Sequence, residues 1–116
     1  MPYHRLTVYQ KSYGLAIELH KLTLKFPGIE QYELARQLRR SSKSIPANIA
    51  EGMGKQTSKA DVKRFLDMAM GSCDESRVWL DFAKDLGYLS VQDHDHYIER
   101  YKEIGKMLRG VINRYR

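Results

Sequence analysis

Cysteine and proline are scarce in this chain, and long apolar runs are missing. The single cysteine, Cys73, excludes a disulfide within the chain. It fits a reducing compartment, although a secreted protein without disulfides would look the same. No apolar run approaches the roughly 20 residues of a membrane helix, and no signal sequence follows Met1. We therefore expect a cytoplasmic protein that does not contact a membrane.

The composition is that of a soluble globular protein, with 42% hydrophobic and 29% charged residues. Its 116 residues are enough to bury a core, and we expect one domain that spans residues 1–116. The formal net charge of +6 favours polyanionic partners, nucleic acid first and an acidic protein second. A solvated basic surface explains this charge equally well.

Apolar residues recur every three or four positions in four segments, which predicts four amphipathic helices and no strand. The first covers residues 6–26, the second starts near Ile29 or Glu30, and Ser90 caps the fourth. The fold class that follows is all-α, an antiparallel up-down four-helix bundle.

Helix two divides into a core face and a basic face on a helical wheel at about 100° per residue. The core face is formed by Leu34, Leu38, Ser42, Ile45 and Ile49. The opposite side carries four cations, Arg36, Arg39, Arg40 and Lys43. Either a partner anion or water and salt can relieve the repulsion among these like charges.

Pro46 lies inside helix two, where it has no amide hydrogen to donate and its ring presses on the carbonyl of Ser42. We expect helix two to be kinked at Pro46 or broken between Ser42 and Ala47. The hydroxyls of Ser41, Ser42 and Ser44 can bond the freed backbone groups, or Ser44 can cap a restarted helix.

Helix three, capped by Thr57 or Ser58, has a wider apolar arc than one bundle core requires. Its core seam comprises Val62, Leu66, Ala69, Cys73, Ser76, Leu80 and Ala83. Larger side chains lie beside the seam, at Phe65, Met68, Trp79, Phe82 and Leu86. This surplus predicts a subunit interface that includes Phe65, Trp79 or Phe82. Coverage by helices of the same chain is the alternative.

Catalytic and metal-binding patterns have little support. His94 and His96 are two positions apart at the start of a helix, so they face different ways and are poor joint metal ligands. Cys73 lies on the core seam, as a small packing residue does. The cluster Ser41–Ser44 has no histidine nearby in sequence, so a hydrolase is only the third reading. We expect no catalysis, no metal and no cofactor.

Five short strings carry a resemblance to a known family. They are Val8-Tyr9-Gln10-Lys11, Leu22-Thr23-x-x-Phe26-Pro27, Gln37-Leu38-Arg39-Arg40, Ser44-Ile45-Pro46-x-Asn48-Ile49-Ala50-Glu51-Gly52 and Phe65-Leu66-x-x-Ala69-x-Gly71-Ser72. On these strings, of which the proline-centred one is the most specific, the chain resembles the four-helix-bundle family of 23S rRNA intervening-sequence proteins. The likeness covers the first three helices, with Tyr9 where such proteins often have tryptophan and a looser pattern after Ser72.

The resemblance implies a bacterial protein assembled as a ring-shaped homopentamer, akin to the accessory proteins of diversity-generating retroelements, which work with a reverse transcriptase and RNA. We predict a non-catalytic oligomer that binds RNA or structured DNA through phosphates. The predicted phosphate contacts on helix two are Arg36, Arg39, Arg40 and Lys43. The resemblance adds Lys55 to this set. The alternative is an interaction scaffold or accessory subunit that docks an acidic partner protein. The terminal basic cluster Arg109, Arg114 and Arg116 is a second candidate surface.

Overall fold

The computed structural model of the chain describes residues 2–115 as four α-helices and two short 3₁₀ turns. The helices are α1 (Thr7–Thr23), α2 (Leu34–Met53), α3 (Lys59–Asp85) and α4 (Val91–Asn113), and the turns are Tyr3–Arg5 and Gly28–Glu30. These described residues contain no strand, so the all-α class is confirmed. No helix within residues 2–115 is long and apolar enough to cross a membrane. The predicted domain spans residues 1–116, and its first and last positions, Met1 and Arg116, lie outside the described residues.

Serine caps start two helices as the sequence predicts, and a glycine follows the end of α3. Ser58 Oγ accepts a hydrogen bond from the Asp61 amide at 3.2 Å at the start of α3. Ser90 Oγ accepts one from the Asp93 amide at 3.0 Å at the start of α4. Gly87, just past α3, has a φ of +85°, a conformation that glycine adopts without strain.

The connection between α1 and α2 is longer than the sequence pattern predicts. Because α1 ends at Thr23 and α2 begins at Leu34, both predicted helix ends in this region are wrong. Gln31 Nε2 donates to the backbone oxygens of Thr23 at 2.8 Å and Phe26 at 3.0 Å. These bonds tie Gln31 to the end of α1 and to the segment just after it, where the Phe26 amide also donates to the Thr23 carbonyl at 3.1 Å.

One hydrophobic core joins all four helices. The seven residues of the predicted seam on α3 are all buried, so the seam is confirmed. The other helices contribute fully buried side chains, among them Leu15, Leu19, Leu38, Ile45, Ile49, Ile104, Leu108 and Ile112. Each helix thus places one apolar face in the core and turns its polar face to solvent.

Hydrogen bonds between α2 and α3 join the two helices in opposite order. Ser41 Oγ lies 2.8 Å from Ser76 Oγ, and Ser72 Oγ donates to Ser44 Oγ at 2.9 Å. Rising numbers on α2 therefore meet falling numbers on α3, and the ion pairs between α1 and α4 follow the same rule. The packing is consistent with a helical bundle, while the full up-down order stays a prediction.

Helix α2 continues through Pro46 without a break, so the second predicted alternative, a break between Ser42 and Ala47, does not occur. The kink stays a prediction. Packing of α2 against both α1 and α3 holds the helix together across the proline. Ser41 and Ser42 donate to carbonyls three residues earlier, not to the freed carbonyl, and Ser44 lies within α2 and caps no restarted helix.

Candidate nucleic-acid interface

The exposed side of α2 carries a row of cations. Between Leu34 and Ala50 the helix contains no aspartate or glutamate. Arg36, Arg40 and Lys43 are exposed, and we call these three residues the basic row. At a rise of 1.5 Å per residue, the row spans about 10.5 Å along the helix axis. Within residues 2–115, neither arginine of the row forms a hydrogen bond or ion pair, so both guanidinium groups are available to an anion.

The core face of α2 explains why the basic row faces solvent. The five predicted core-face residues are all buried: Leu34, Leu38, Ser42, Ile45 and Ile49. Because α1 and α3 both pack against α2, side chains on the far side of the wheel point away from the protein. The predicted core face is therefore confirmed.

Among the described residues, Lys43 has one hydrogen-bond partner, His20 of α1. Its Nζ lies 2.9 Å from His20 Nδ1, which accepts the bond when that nitrogen carries no proton. The charge of Lys43, then desolvation and the charge of Arg39, lower the pKa of His20. Because a lysine ammonium has three N–H donors, Lys43 keeps donors for an anion.

Arg39 serves a different purpose from the basic row. Its guanidinium donates to Thr23 Oγ1 at 3.0 Å, Gln31 Oε1 at 3.1 Å and Gln31 O at 2.9 Å. These bonds fasten the α1–α2 connection to α2 and account for the arginine without a ligand. The helical wheel groups Arg39 with the basic row, but three of its five N–H donors already bond Thr23 and Gln31, so we leave it out of the candidate interface.

The structure does not bring Lys55 together with the basic row. Lys55 follows the last residue of α2, Met53, which is already about 15 Å along the axis from Lys43. Its Nζ lies 5.9 Å from the centroid of the Phe65 ring, within cation–π range.

The terminal basic cluster is a separate surface. Arg109 and Arg114 are exposed at the end of α4, a helix that packs against α3 and α1 but not against α2. Arg116, the third predicted member, lies outside the described residues. The cluster therefore stays a second candidate that is independent of the basic row.

The predicted serine cluster joins α2 to α3. Besides the Ser41–Ser76 and Ser44–Ser72 bonds, Asn48 Nδ2 donates to both the carbonyl and the hydroxyl of Ser44 at 2.9 Å. In the described part of the chain, no histidine is among the hydrogen-bond partners of these hydroxyls. The hydrolase hypothesis therefore gains no support from these hydrogen bonds.

Two other groups of chemical interest contribute to packing. Cys73 is 1% exposed, and burial raises the pKa of its thiol to about 12, so it is a core residue as predicted. His94 joins α3 and α4, with Nε2 2.7 Å from Asp81 Oδ1 and Nδ1 3.0 Å from Asp95 Oδ1. No three histidine, cysteine or acidic side chains within residues 2–115 are placed to hold a metal ion.

The three predicted interface rings on α3 differ in exposure. Phe65 is 8% exposed and lies against α2 at Gly52, so the same chain covers it and no second subunit is needed. Trp79 is half-buried and donates from Nε1 to Glu75 Oε1 at 3.1 Å. Phe82 is 51% exposed. It belongs to an exposed apolar stripe on α3 that comprises Val78, Phe82 and Leu86 at four-residue spacing, and Met68 is exposed separately, ten residues before Val78.

Sequence reasoning missed a groove between α1 and α2. It has a volume of about 380 Å³, and Tyr9 and Tyr13 of α1 and Lys43 of α2 line it. The signal was the four-residue spacing of Tyr9, Tyr13 and Ile17, which places all three on one side of α1. Of the basic row, Lys43 lines the groove, and the groove opens at that end of the row.

Comparison with known proteins finds one family. A family model described as 23S rRNA-intervening sequence protein matches residues 4–110. A crystal structure from Bacteroides thetaiotaomicron superimposes with a TM-score of 0.85 at 26% identity, covering 97% of this chain and 99% of that one. That protein is described as one of unknown function from the S23 ribosomal protein family. Comparison with curated proteins gives no match.

Proposed function

The chain belongs to the family of 23S rRNA-intervening sequence proteins, and we propose that it is a non-catalytic, oligomeric, nucleic-acid-binding protein of the bacterial cytoplasm. RNA or structured DNA would be bound through phosphates by the basic row of α2. The family description refers to a segment of ribosomal RNA, which supports RNA among the polyanions that a basic surface could bind.

The observation that carries the proposal is the basic row itself. Three exposed cations lie on one side of a helix that has no acidic residue between Leu34 and Ala50. Such an arrangement neutralises successive phosphates and releases their counterions, which is the main source of affinity in binding without base readout.

Self-association would strengthen this binding. One basic row is a small patch, and repetition of the row in an oligomer raises effective affinity through multivalency. The exposed apolar stripe on α3 supports an interface between copies, because its side chains are four residues apart and so lie next to one another on one side of the helix. We take the number of subunits, five, from the family resemblance, and the antiparallel up-down order of the helices belongs to the same proposal.

A scaffold function is the second candidate, and the same apolar stripe favours it. A stripe that contains Val78, Phe82 and Leu86 suits a protein partner better than a nucleic acid, because proteins bury apolar surface on association. In this alternative the basic row would dock an acidic surface of that partner.

The test compares two triple variants with equal loss of charge. Arg36→Gln/Arg40→Gln/Lys43→Gln removes the basic row, and Lys102→Gln/Lys106→Gln/Arg109→Gln removes three exposed cations from α4. Affinity for a labelled oligonucleotide is measured by fluorescence anisotropy at several salt concentrations. Loss of three phosphate contacts should flatten the slope of log affinity against log salt by about 2.7 on duplex DNA or about 2.1 on single strands.

We expect the basic-row variant to bind all sequences more weakly and the α4 variant to bind like the wild type. Circular dichroism and light scattering should give unchanged helicity and mass for both. If the wild type and the basic-row variant bind the oligonucleotide with equal affinity at every salt concentration, the row is only a solvated surface. A loss confined to the α4 variant would move the interface to the terminal cluster. Absence of binding at low salt would leave the scaffold alternative.

A further inference from the structure

A row of aromatic side chains runs from the Tyr3–Arg5 turn along the first half of α1, past the Lys43 end of the basic row. The ring centroids of Tyr3 and Tyr9 are 4.9 Å apart, and those of Tyr9 and Tyr13 are 5.9 Å apart. His4 stacks on Tyr3 at 4.0 Å. Tyr13, at the end of the row, is 53% exposed although its ring is large and apolar. Tyr3 and Tyr9 are partly buried against the core, so Tyr13 is the tyrosine that this row presents to solvent.

The groove between α1 and α2 continues this aromatic surface. Its floor includes Pro46, Ala47 and Ala50 of α2, whose side chains are too short to fill the space beside Tyr13 and Ile17. Apart from Lys43 and the tyrosine hydroxyls, the lining is apolar. A volume of about 380 Å³ lies at the lower end of the range for small-molecule pockets, so it fits a planar group better than a whole helix.

The cations extend from one end of the groove, away from Tyr13. Lys43 lines it, and Arg40 and Arg36 follow about 4.5 Å and 10.5 Å further along the α2 axis. A ligand that fills the groove and contacts the row must therefore combine a flat apolar group with negative charges spaced along a chain. Single-stranded nucleic acid has this chemistry, because its bases are free to stack while its phosphates remain charged. A duplex has the charges but keeps its bases inside.

We propose that the groove beside Tyr9 and Tyr13 is a base-stacking subsite for single-stranded nucleic acid. This inference rests on the proposed function and makes it more specific. An unpaired base enters the groove and stacks on the exposed Tyr13 ring, while the adjoining phosphates contact Lys43 and Arg40. Single strands, or the unpaired loops of a folded RNA, should then bind more tightly than a duplex of the same sequence.

The experiment measures the affinity of Tyr13→Leu and Tyr13→Phe variants for a labelled single strand and for its duplex, by fluorescence anisotropy. Leucine keeps apolar bulk but lacks a stacking face, whereas phenylalanine keeps the ring. We expect Tyr13→Leu to weaken single-strand binding roughly 5- to 150-fold, as loss of one base–aromatic stack does. We expect Tyr13→Phe to bind like the wild type and duplex affinity to change little in either variant.

Photocrosslinking gives a measurement that does not depend on a variant. A single strand that carries iodouracil should form adducts with Tyr9 or Tyr13 of the wild-type protein, located by mass spectrometry. Adducts elsewhere and none in the groove would overturn the subsite.

Other outcomes separate this inference from the proposed function. If Tyr13→Leu binds single strands like the wild type while the basic-row variant does not, the subsite is wrong and the proposed function stands. If Tyr13→Leu weakens single-strand and duplex binding alike, stacking is not the cause and the subsite is wrong. If Tyr13→Leu changes the mass in light scattering, the groove belongs to an interface between copies instead. If the wild type binds neither nucleic acid, both proposals fail.

Discussion

Arg39 and Arg40 are adjacent arginines for which the structure predicts opposite effects. Arg39→Gln removes a guanidinium that holds Thr23 and Gln31 through three hydrogen bonds, whereas Arg40→Gln removes an exposed group of the basic row. Both variants lose one charge from neighbouring positions of one helix. The pair therefore separates the contribution to stability from the contribution to binding.

The size of the stability effect follows from these contacts. A hydrogen bond to a charged group contributes about 1.5–3 kcal/mol, but water can replace part of that at a half-exposed site. We therefore expect Arg39→Gln to lower the free energy of unfolding by about 1–3 kcal/mol in total. For a domain of this size that corresponds to a Tm lower by about 4–12 °C. Arg40→Gln should change stability by less than about 0.5 kcal/mol.

Urea unfolding followed by circular dichroism measures both values, with Arg39→Lys as a third variant. Lysine keeps the charge but has no planar fork to reach Thr23 and Gln31 together, so we expect it to recover little stability. Anisotropy on the folded proteins should show the reverse order, with Arg40→Gln weaker in binding than Arg39→Gln. Equal unfolding midpoints for the two glutamine variants would refute the structural reading of Arg39.

Two further predictions concern α3. In Gly52→Ala the new Cβ would lie 3.0 Å from Phe65 Cβ and 3.4 Å from Val62 O. We expect this variant to be less stable, because overpacking costs about 1–3 kcal/mol while alanine's higher helix propensity returns only about 1 kcal/mol. In Gly71→Ala the new Cβ would meet no atom within 4 Å, so we expect the variant to unfold at a higher urea concentration than the wild type. Equal changes in the unfolding midpoint for the two variants would contradict the close approach of Gly52 to Phe65. On a size-exclusion column with light scattering, we expect the wild type to give several times the 13.6 kDa chain mass and Phe82→Glu to give less. Tyr32→Glu, at an exposed position outside the stripe, should keep the wild-type mass, and a monomeric wild type would remove the assembly argument.

Residues that repeat with the helical period are those the sequence predicts best. The α3 seam, the core face of α2 and the serine caps are confirmed, because each depends on spacing within one segment. The all-α class and the family likeness follow from the same local patterns.

Predictions that need a second segment were less reliable. The wheel puts Arg39 among the solvent-facing cations, yet the folded connection returns Thr23 and Gln31 to its guanidinium. The pattern on α3 alone makes Phe65 surplus to one core, but in the fold it packs against α2 at Gly52 and is buried.

By itself, the sequence determined that four amphipathic helices form, which face of each is apolar, and that α2 is basic on its outer side. Hydrophobic periodicity acts within one helix, so no partner segment is needed to predict it. Only the tertiary structure decided which cations of α2 are free, which ring of α3 is covered, and that Tyr13 and Lys43 line one groove. Those outcomes depend on how closely α1, α2 and α3 approach one another, and this distance is set by side chains far apart in the chain.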